Sequence, residues 1–359
     1  MSYREYLVSS GTPVSLALRQ VTGLATRHLF VVDDHGAPLG TLAEDVLREW
    51  VTAGEDPGAV VDRLMGPAPQ PISRADSVET ARLRIVGTGA PGVPVVDEYG
   101  ATVDIVWVDD LARGGRQAAG ASARMALKDV TVVVMAGGLG SRLAPFSTIL
   151  PKPLMPVGDM TAIERVMETF TRVGCSRFIV SLGHKAELIR AYFRDVEPAY
   201  SVEFVSEDRP LGTAGALGLM RRMIEGPIFV TNCDVLIKAD PAEILAAHTS
   251  GGRTATIVAA LEVHEVPYGV LRLAPDGNVS EVSEKPRMEF LVSTGVYVLD
   301  PSVLGLVEPG EPEDMTSLLL RARALGPVGV YPIGGDEWLD IGRLDSLQAM
   351  AASVYEGWS

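Results

Sequence analysis

From about residue 129 onward, short apolar runs alternate with stretches of helical periodicity. Runs rich in Val, Ile and Phe, typical of buried strands, occupy 131–135, 177–182, 202–205, 227–232, 254–261 and 328–333. Between two of these runs, apolar residues recur at helical spacing, at Ile163, Val166, Met167 and Phe170. The alternation predicts an α/β domain, a mostly parallel sheet with helices on both faces.

The first 115 residues contain an internal repeat. The segments "HLFVVDDHGAPLG" (28–40) and "GVPVVDEYGATVD" (92–104) align without gaps. Each predicts a strand, an acidic turn closed by glycine, a second strand and a helix. Because a unit this small cannot bury its apolar face alone, we expect the two copies to pack against each other.

The repeat resembles a tandem CBS pair, an α+β regulatory module, over about residues 9–113. Family members that bind a nucleotide usually carry a hydroxyl residue where this chain has Ala43 and Trp107, whereas Asp110 keeps an acidic position that can hold a ribose. Two roles therefore stay open. The pair is either a structural or dimerising domain, or it binds an adenine nucleotide as effector.

A linker separates the repeat from the second half. The segment "GGRQAAGASAR" (114–124) has small and polar residues without periodicity. The sequence therefore predicts a CBS domain over 1–116, a linker over 117–128 and a catalytic domain over 129–359.

The composition limits the function classes. The 359-residue chain has a formal net charge of −15, so its repulsion from polyanions disfavours non-specific nucleic-acid binding. No apolar run approaches the ~20 residues of a membrane helix, and the N-terminus lacks the pattern of a secretory signal. Two cysteines, Cys175 and Cys233, are too few for a disulfide framework or a tetrahedral zinc site. We therefore expect a cytoplasmic protein without nucleic-acid or membrane partners, and we also expect a homo-oligomer.

A glycine-rich loop follows the first strand of the second half, in "TVVVMAGGLGSRLAP" (131–145). Its glycines are Gly137, Gly138 and Gly140. Ser141 and Arg142 follow where a P-loop requires Lys-Ser/Thr, and Leu143 stands where a dinucleotide fingerprint needs its third glycine. The bare backbone can still wrap around a triphosphate and direct N–H groups at its oxygens. The loop therefore predicts a phosphate site of another class.

Charged residues at strand ends and beside prolines extend this site. Arg142 offers a bidentate cation within the loop, and Lys152 stands between two prolines that restrict its backbone. Asp234 and Asp340 each follow a predicted strand. Ligands of open α/β sheets lie at the carboxyl ends of the strands, where paired carboxylates are typical of a magnesium site completed by phosphate and water.

Seven separated motifs resemble those of the sugar-1-phosphate nucleotidyltransferases, also called nucleoside-diphosphate-sugar pyrophosphorylases. In chain order they are "AGGLGSRLAP…PKPLMPV", "EDRPLGTAGAL", "TNCD", "PYGVL", "SEKP", "STGVYVL" and "WLDIGR". The resemblance covers about residues 129–350. It implies a Rossmann-like nucleotidyltransferase domain, a nucleoside triphosphate and a sugar 1-phosphate as substrates, and Mg²⁺ as cofactor.

The resemblance also implies a role for each motif residue. The catalytic residues would be Arg142, Lys152 and Asp234. The nucleotide would be bound by Ala136, Gly137, Gly138, Gly140, Ser141, Arg142, Glu207, Gly212 and Thr213. The sugar phosphate would be bound by Gly269, Glu284, Lys285, Thr294 and Gly295, and Mg²⁺ by Asp234 and Asp340.

The base is inferred from Glu207, which falls on the family's base-reading position. An ionised carboxylate only accepts hydrogen bonds, and guanine presents two adjacent donors, whereas thymine and uracil present one N–H between two carbonyls. We therefore favour GTP, with mannose 1-phosphate or glucosamine 1-phosphate as examples of the sugar, and UTP or dTTP as the alternative. The joining of a CBS pair to this module resembles enzymes of bacterial surface-polysaccharide synthesis.

Two function classes compete with this interpretation. A nucleotide-sensing subunit without turnover would keep the fold, but the retention of both aspartates and both cations argues against it. A metal-dependent glycosyltransferase would be expected to carry an Asp-x-Asp pair, and "TNCDV" is not one.

Overall fold

A computed structural model describes residues 2–112, 127–138 and 149–341. The chain divides into two compact units, the first formed by Met1–Gly115 with Leu261–Val292 and the second by Arg116–Ala260 with Ser293–Ser359. The sequence predicts one domain over 129–359, whereas the structure groups Leu261–Val292 of that range with the N-terminal residues. That segment groups with the N-terminal residues since Leu261 is buried in their apolar core. Of the predicted linker 117–128, only the last two residues lie within the described ranges.

The N-terminal part of the first unit consists of two copies of one motif. Its strands are β1 (Leu7–Ser9), β2 (His28–Val32), β3 (Pro38–Ala43), β4 (Gly66–Pro67), β5 (Ile72–Ser73), β6 (Gly92–Val96) and β7 (Thr102–Trp107). Its helices are α1 (Val14–Thr22), α2 (Glu44–Thr52), α3 (Val78–Ile85) and α4 (Val108–Ala112). In each copy a short strand pairs in parallel with the first strand of an antiparallel hairpin, which leads into a helix.

The two hairpin turns have the same chemistry. The carboxylates of Asp33 and Asp97 each accept hydrogen bonds from the backbone N–H groups two and four residues later, at 2.8–3.0 Å. Gly36 and Gly100 then take positive φ angles of 82° and 85°, which favour glycine. The turns also meet, because the N–H of Thr102 donates to the carbonyl of Gly36 at 2.8 Å. The predicted internal repeat is confirmed, while its identity as a CBS pair stays a prediction.

The remaining elements follow in chain order. The strands are β8 (Thr131–Ala136), β9 (Pro156–Val157), β10 (Met160–Thr161), β11 (Arg177–Leu182), β12 (Ser201–Ser206), β13 (Ile228–Asn232), β14 (Val235–Ile237), β15 (Ala255–Glu265), β16 (Gly269–Leu273), β17 (Val279–Glu284), β18 (Arg287–Leu299), β19 (Val328–Gly334) and β20 (Trp338–Asp340). The helices are α5 (Ala162–Thr171), α6 (Ala186–Val196), α7 (Ala216–Met220), α8 (Pro241–Ser250), α9 (Pro301–Leu304) and α10 (Met315–Ala322).

The second unit is built on a seven-stranded sheet with the order β12-β11-β8-β13-β18-β15-β19. Strands β12, β11, β8 and β13 run parallel to their neighbours, and β18 is antiparallel to β13. Both faces of β8 are buried, since Val132 and Val134 belong to one apolar cluster and Val133 to another. Helix α5 packs into the first cluster, and helices α7 and α10 pack into the second. The predicted α/β sheet with helices on both faces is confirmed.

In the part of the chain that the structure describes, no helix has both the length and the apolar composition needed to cross a membrane.

Candidate active site

The site is assembled at the carboxyl edge of the parallel strands. Each of four strands leads into a candidate residue. Strand β8 is followed directly by Gly137, β11 by Gly183 and β12 by Glu207, whereas β13 is followed after one residue by Asp234. Because these four strands are adjacent and parallel, their carboxyl ends meet at one edge. Ligands of open α/β sheets bind at such an edge, so the residues that follow these strands are the candidates to contact one.

Gly137 lies in a gap too narrow for a side chain. A β-carbon at this position would clash with the carboxylate of Glu207, and one at Gly183 would lie 2.5 Å from the carbonyl oxygen of Gly137. The Glu207 backbone N–H donates to the carbonyl of Leu182 at 2.7 Å, and its carboxylate accepts from the N–H of Leu211 at 3.1 Å. The base-reading candidate is thus held directly over the start of the glycine loop.

Lys152 forms an ion pair with Asp234. The lysine begins a short 3-10 turn, Lys152–Leu154, whose conformation is restricted by the prolines at 151 and 153. Its side chain is 21% exposed and that of Asp234 is 9% exposed, so the pair is largely shielded from water. Coulomb interactions at such a place are stronger than on the open surface.

Asp340 is brought against Asp234 by a small sheet of two strands. Antiparallel β14 and β20 pair Val235 with Asp340, and the N–H of Ile341 donates to the backbone carbonyl of Asp234 at 2.8 Å. The carboxyl group of Asp340 thereby lies near that of Asp234. Burial raises the pKa of Asp234 above its ordinary value, the Lys152 ammonium opposes that rise, and the nearby Asp340 carboxylate adds to it.

Two adjacent carboxylates on one buried edge are a donor set that suits a hard divalent cation. Oxygen ligands are those that Mg²⁺ prefers, and it commonly takes one or two carboxylates with phosphate and water as its remaining ligands. Among residues 2–112, 127–138 and 149–341, no three side chains of His, Cys, Asp or Glu are arranged to hold a metal ion. Asp234 and Asp340 are two carboxylates rather than three, and they would fit a cation site with few protein ligands.

The structure gives the other predicted nucleotide residues different surroundings. Gly212 has a φ of +76°, and a β-carbon there would lie 2.7 Å from the carbonyl oxygen of Glu313. The hydroxyl of Thr213 accepts a hydrogen bond of 2.8 Å from the N–H of Met315, the first residue of α10. Both residues therefore have a structural function in joining two loops. Gly140, Ser141 and Arg142 lie outside the described residues.

The predicted sugar-phosphate residues fall into two groups. Thr294 and Gly295 belong to the second unit, where the Thr294 hydroxyl is buried and donates to the carbonyl of Val258 at 2.9 Å. Gly295, at φ +89°, lies against the side-chain amide of Asn232, which would stand 2.5 Å from an added β-carbon. This approach brings Gly295 close to the strand end that carries Asp234.

The second group, Gly269, Glu284 and Lys285, lies in the first unit on the β16–β17 hairpin. Gly269 is paired with Glu284, and a β-carbon on the glycine would lie 3.1 Å from the Glu284 carboxylate. The N–H of Lys285 donates to the carbonyl of Tyr268 at 3.2 Å, and Lys285 has a φ of +49°. The predicted members of this group are therefore neighbours of one another.

Sequence reasoning missed two residues at the strand edge. Gly183 is required by its approach to Gly137, and Lys185 extends its ammonium to the carbonyl of Ile149 at 3.1 Å. The signal was present in "SLGHK", where a glycine and one of only five lysines follow a predicted strand.

The chain is similar to known proteins of one family. The model of a family described as nucleotidyl transferase matches residues 131–356. A mannose-1-phosphate guanyltransferase of Pichia angusta is 35% identical over 187 residues, which are 49% of this chain and 51% of that protein. A UTP–glucose-1-phosphate uridylyltransferase of Synechocystis sp. is 30% identical over 232 residues, 59% of this chain and 60% of the relative. The chain thus spans about half the length of the first relative and three fifths of the second.

Among solved structures, HddC from Yersinia pseudotuberculosis aligns with a TM-score of 0.50 and 25% sequence identity. The alignment covers 63% of this chain and 99% of HddC.

Proposed function

The chain belongs to the nucleotidyl transferase family, and we propose that it transfers a nucleoside monophosphate from a nucleoside triphosphate to a sugar 1-phosphate, releasing pyrophosphate. The observation that carries the proposal is the contact of Lys152, Asp234 and Asp340 at the sheet edge that also bears the glycine loop. Cations and carboxylates at such an edge are the groups that phosphoryl transfer uses.

The reaction requires positioning and charge neutralisation more than acid–base chemistry. An oxygen of the sugar phosphate attacks the α-phosphorus of the nucleotide, the bond to the leaving pyrophosphate breaks, and the attacking group is already an anion. The missing side chain at Gly137 lets the Glu207 carboxylate lie against the start of the glycine loop, and Lys152 and Arg142 neutralise charge that develops on the phosphates. Mg²⁺, when bound by Asp234 and Asp340, would supply further neutralisation of the phosphates.

GTP is the proposed nucleotide. Glu207 projects its carboxylate over the start of the glycine loop, and the hydrogen bond from Leu211 uses one of its acceptor sites. The remaining acceptors suit the two adjacent donors of guanine. The similarity to the guanyltransferase of Pichia angusta supports the same base, and it supports mannose 1-phosphate as the first sugar to examine.

UTP is the second candidate, because the relative from Synechocystis sp. acts on UTP and glucose 1-phosphate by its name. A single N–H of uracil between two carbonyls suits an amide better than a carboxylate, so the presence of Glu207 favours GTP.

Three further proposals rest on the resemblance alone. They are a role in bacterial surface-polysaccharide synthesis, an adenine nucleotide effector bound by the repeat, and a homo-oligomeric state.

A substrate matrix tests the proposed function. GTP, UTP, dTTP, ATP and CTP are each mixed with several hexose 1-phosphates and Mg²⁺, and pyrophosphate release is recorded. We expect release above background only when both substrates are present, with GTP the preferred nucleotide. Absence of release with every pair would contradict the proposal and favour a sensing subunit.

A further inference from the structure

We propose that the second copy of the N-terminal repeat is a positioning element for the hairpin that carries Glu284 and Lys285. The inference rests on the proposed function, because it concerns the binding of the sugar phosphate. It depends on contacts within the first unit, which contains both the repeat and Leu261–Val292.

Apolar packing attaches the base of the hairpin to the repeat. Leu261, at the start of the segment, is fully buried in the core cluster that also contains Ile85, Val93 and Leu111 of the second copy. The strand that returns from the hairpin packs against the same cluster through Leu291. Apolar surface removed from water stabilises a contact in proportion to its area, so these two leucines attach the base of the hairpin to the repeat.

Polar contacts fix the returning strand at two further points. Arg287 forms an ion pair with Asp109, which lies on helix α4 of the second copy. Two residues further on, Glu289 is only 7% exposed, and burial raises the pKa of its carboxyl group, while the backbone groups of Glu289 itself and of Gly89 in the second copy oppose that rise. A carboxyl group is unfavourable to bury, so its enclosed place beside Gly89 favours one position of the strand.

The anchored strand begins two residues after the lysine that is assigned to the sugar phosphate. Between Lys285 and Arg287 the chain turns, and the turn is held by hydrogen bonds from Lys285 to Tyr268 and from Val266 to Pro286, at 3.2 and 3.0 Å. The φ of +49° at Lys285 is unfavourable for a residue with a side chain, so the surrounding contacts must hold it. A shift of Arg287 would therefore move Lys285 as well.

The hairpin has little support of its own. Strands β16 and β17 form a sheet of only two strands, and Leu271 and Val282, which are paired across it, are 57% and 61% exposed. Two-stranded hairpins are marginally stable in water without further packing. Packing of its base against the repeat therefore supports the hairpin. A ligand that shifted the repeat would change the affinity for the sugar phosphate more than the affinity for the nucleotide.

The test is a mutant cycle on the exposed ion pair in the full-length chain. The variants are Asp109→Ala, Arg287→Ala, the double variant, and the exchanged pair Asp109→Arg with Arg287→Asp. Asp45→Ala is the matched control, because Asp45 is exposed on α2 at the position of the first copy that corresponds to Asp109. Steady-state kinetics give KM separately for the sugar phosphate and the nucleotide.

We expect each single variant to raise KM for the sugar phosphate about two- to five-fold, the range of an exposed ion pair, with the KM for nucleotide unchanged. The double variant should be no worse than either single one, and the exchanged pair and the control should stay near wild type. Unchanged KM values, additive effects, or an equal rise in both KM values would overturn the inference.

Amide hydrogen exchange separates failure of this inference from failure of the proposed function. If the wild-type protein releases no pyrophosphate with any substrate pair, the proposed function fails, but the attachment can still be measured. Asp109→Ala should then accelerate exchange in 266–287 and leave exchange in β8 and β13 unchanged. Equal protection of the hairpin in wild type and variant would overturn the inference.

Discussion

In two places a lysine that is next to a proline in sequence lies near a carboxylate residue, and the two places differ in how far their side chains are buried. In the buried corner, formed by Lys152, Asp234 and Asp340, the aspartate side chain that pairs with lysine is 9% exposed. In the hairpin corner, formed by Glu284 and Lys285, both residues are exposed. Similar residues in sequence therefore experience different dielectric surroundings, and their electrostatic interactions differ in strength.

This difference predicts a division of roles. Charge that develops as a phosphate bond breaks is stabilised best where water is largely excluded, which favours the buried corner for the chemical step. An exposed lysine on a two-stranded hairpin suits ground-state binding of a substrate phosphate.

We expect Asp234→Asn and Asp340→Asn each to lower kcat by orders of magnitude, because each removes a carboxylate from the proposed cation site. Pyrophosphate release at saturating Mg²⁺ measures the loss, and circular dichroism checks that the protein is folded. Asp240→Asn is the matched control, since Asp240 caps α8 only six residues later and asparagine is an equally good cap. Near wild-type turnover in either variant would exclude that residue from the cation site.

Lys152→Ala should lower kcat about 10²-fold and change the KM for nucleotide much less, because charge moves onto pyrophosphate only as the bond breaks. Arg142→Ala is expected to behave in the same way. Lys128→Ala, which removes an exposed lysine, serves as the control. A rise in KM with kcat unchanged would instead assign these cations to ground-state binding and remove the contrast between the two corners.

Glu207→Gln should shift the ratio of kcat/KM for GTP over UTP by about 5- to 150-fold, the cost of leaving a buried polar group unpaired. The substitution retains an oxygen that can accept from Leu211, so the loop contact is preserved. Asp208→Asn changes the neighbouring exposed carboxylate and should leave the ratio unchanged. If wild type uses UTP or dTTP as efficiently as GTP, the argument from donors and acceptors is wrong.

Lys285→Met should raise KM for the sugar phosphate about tenfold with a smaller effect on kcat, as expected for loss of a charge-assisted hydrogen bond at an exposed site. Lys285→Arg keeps the charge and should lose less. Both variants retain a β-carbon at φ +49°, so backbone strain is matched between them. A kcat loss as large as that of Lys152→Ala would show that the hairpin corner takes part in the chemical step.

Much of the sheet could be predicted from the sequence because its central strands are buried on both faces. Val132, Val133 and Val134 form a continuous apolar run that is typical of such a strand. Asp234 could be predicted at the ligand-facing edge because the direction of a parallel strand determines which of its ends faces a ligand.

The grouping of Leu261–Val292 with the N-terminal repeat could not be predicted. An apolar residue such as Leu261 signals that it will be buried, but it does not identify its partner. The two three-residue strands that bring Asp340 to Asp234 could not be predicted from the sequence either, because a run this short shows no periodicity.

The most direct test of the account follows the α-phosphate. GTP labelled at its α-phosphorus is incubated with mannose 1-phosphate, Mg²⁺ and the full-length protein, and the products are separated. We predict that the label appears in a nucleoside-diphosphate sugar, with one pyrophosphate released for each molecule formed and no product without the sugar phosphate. Label that stays in GTP with every sugar 1-phosphate tried, or that appears only as GMP or GDP, would contradict nucleotidyl transfer at this site.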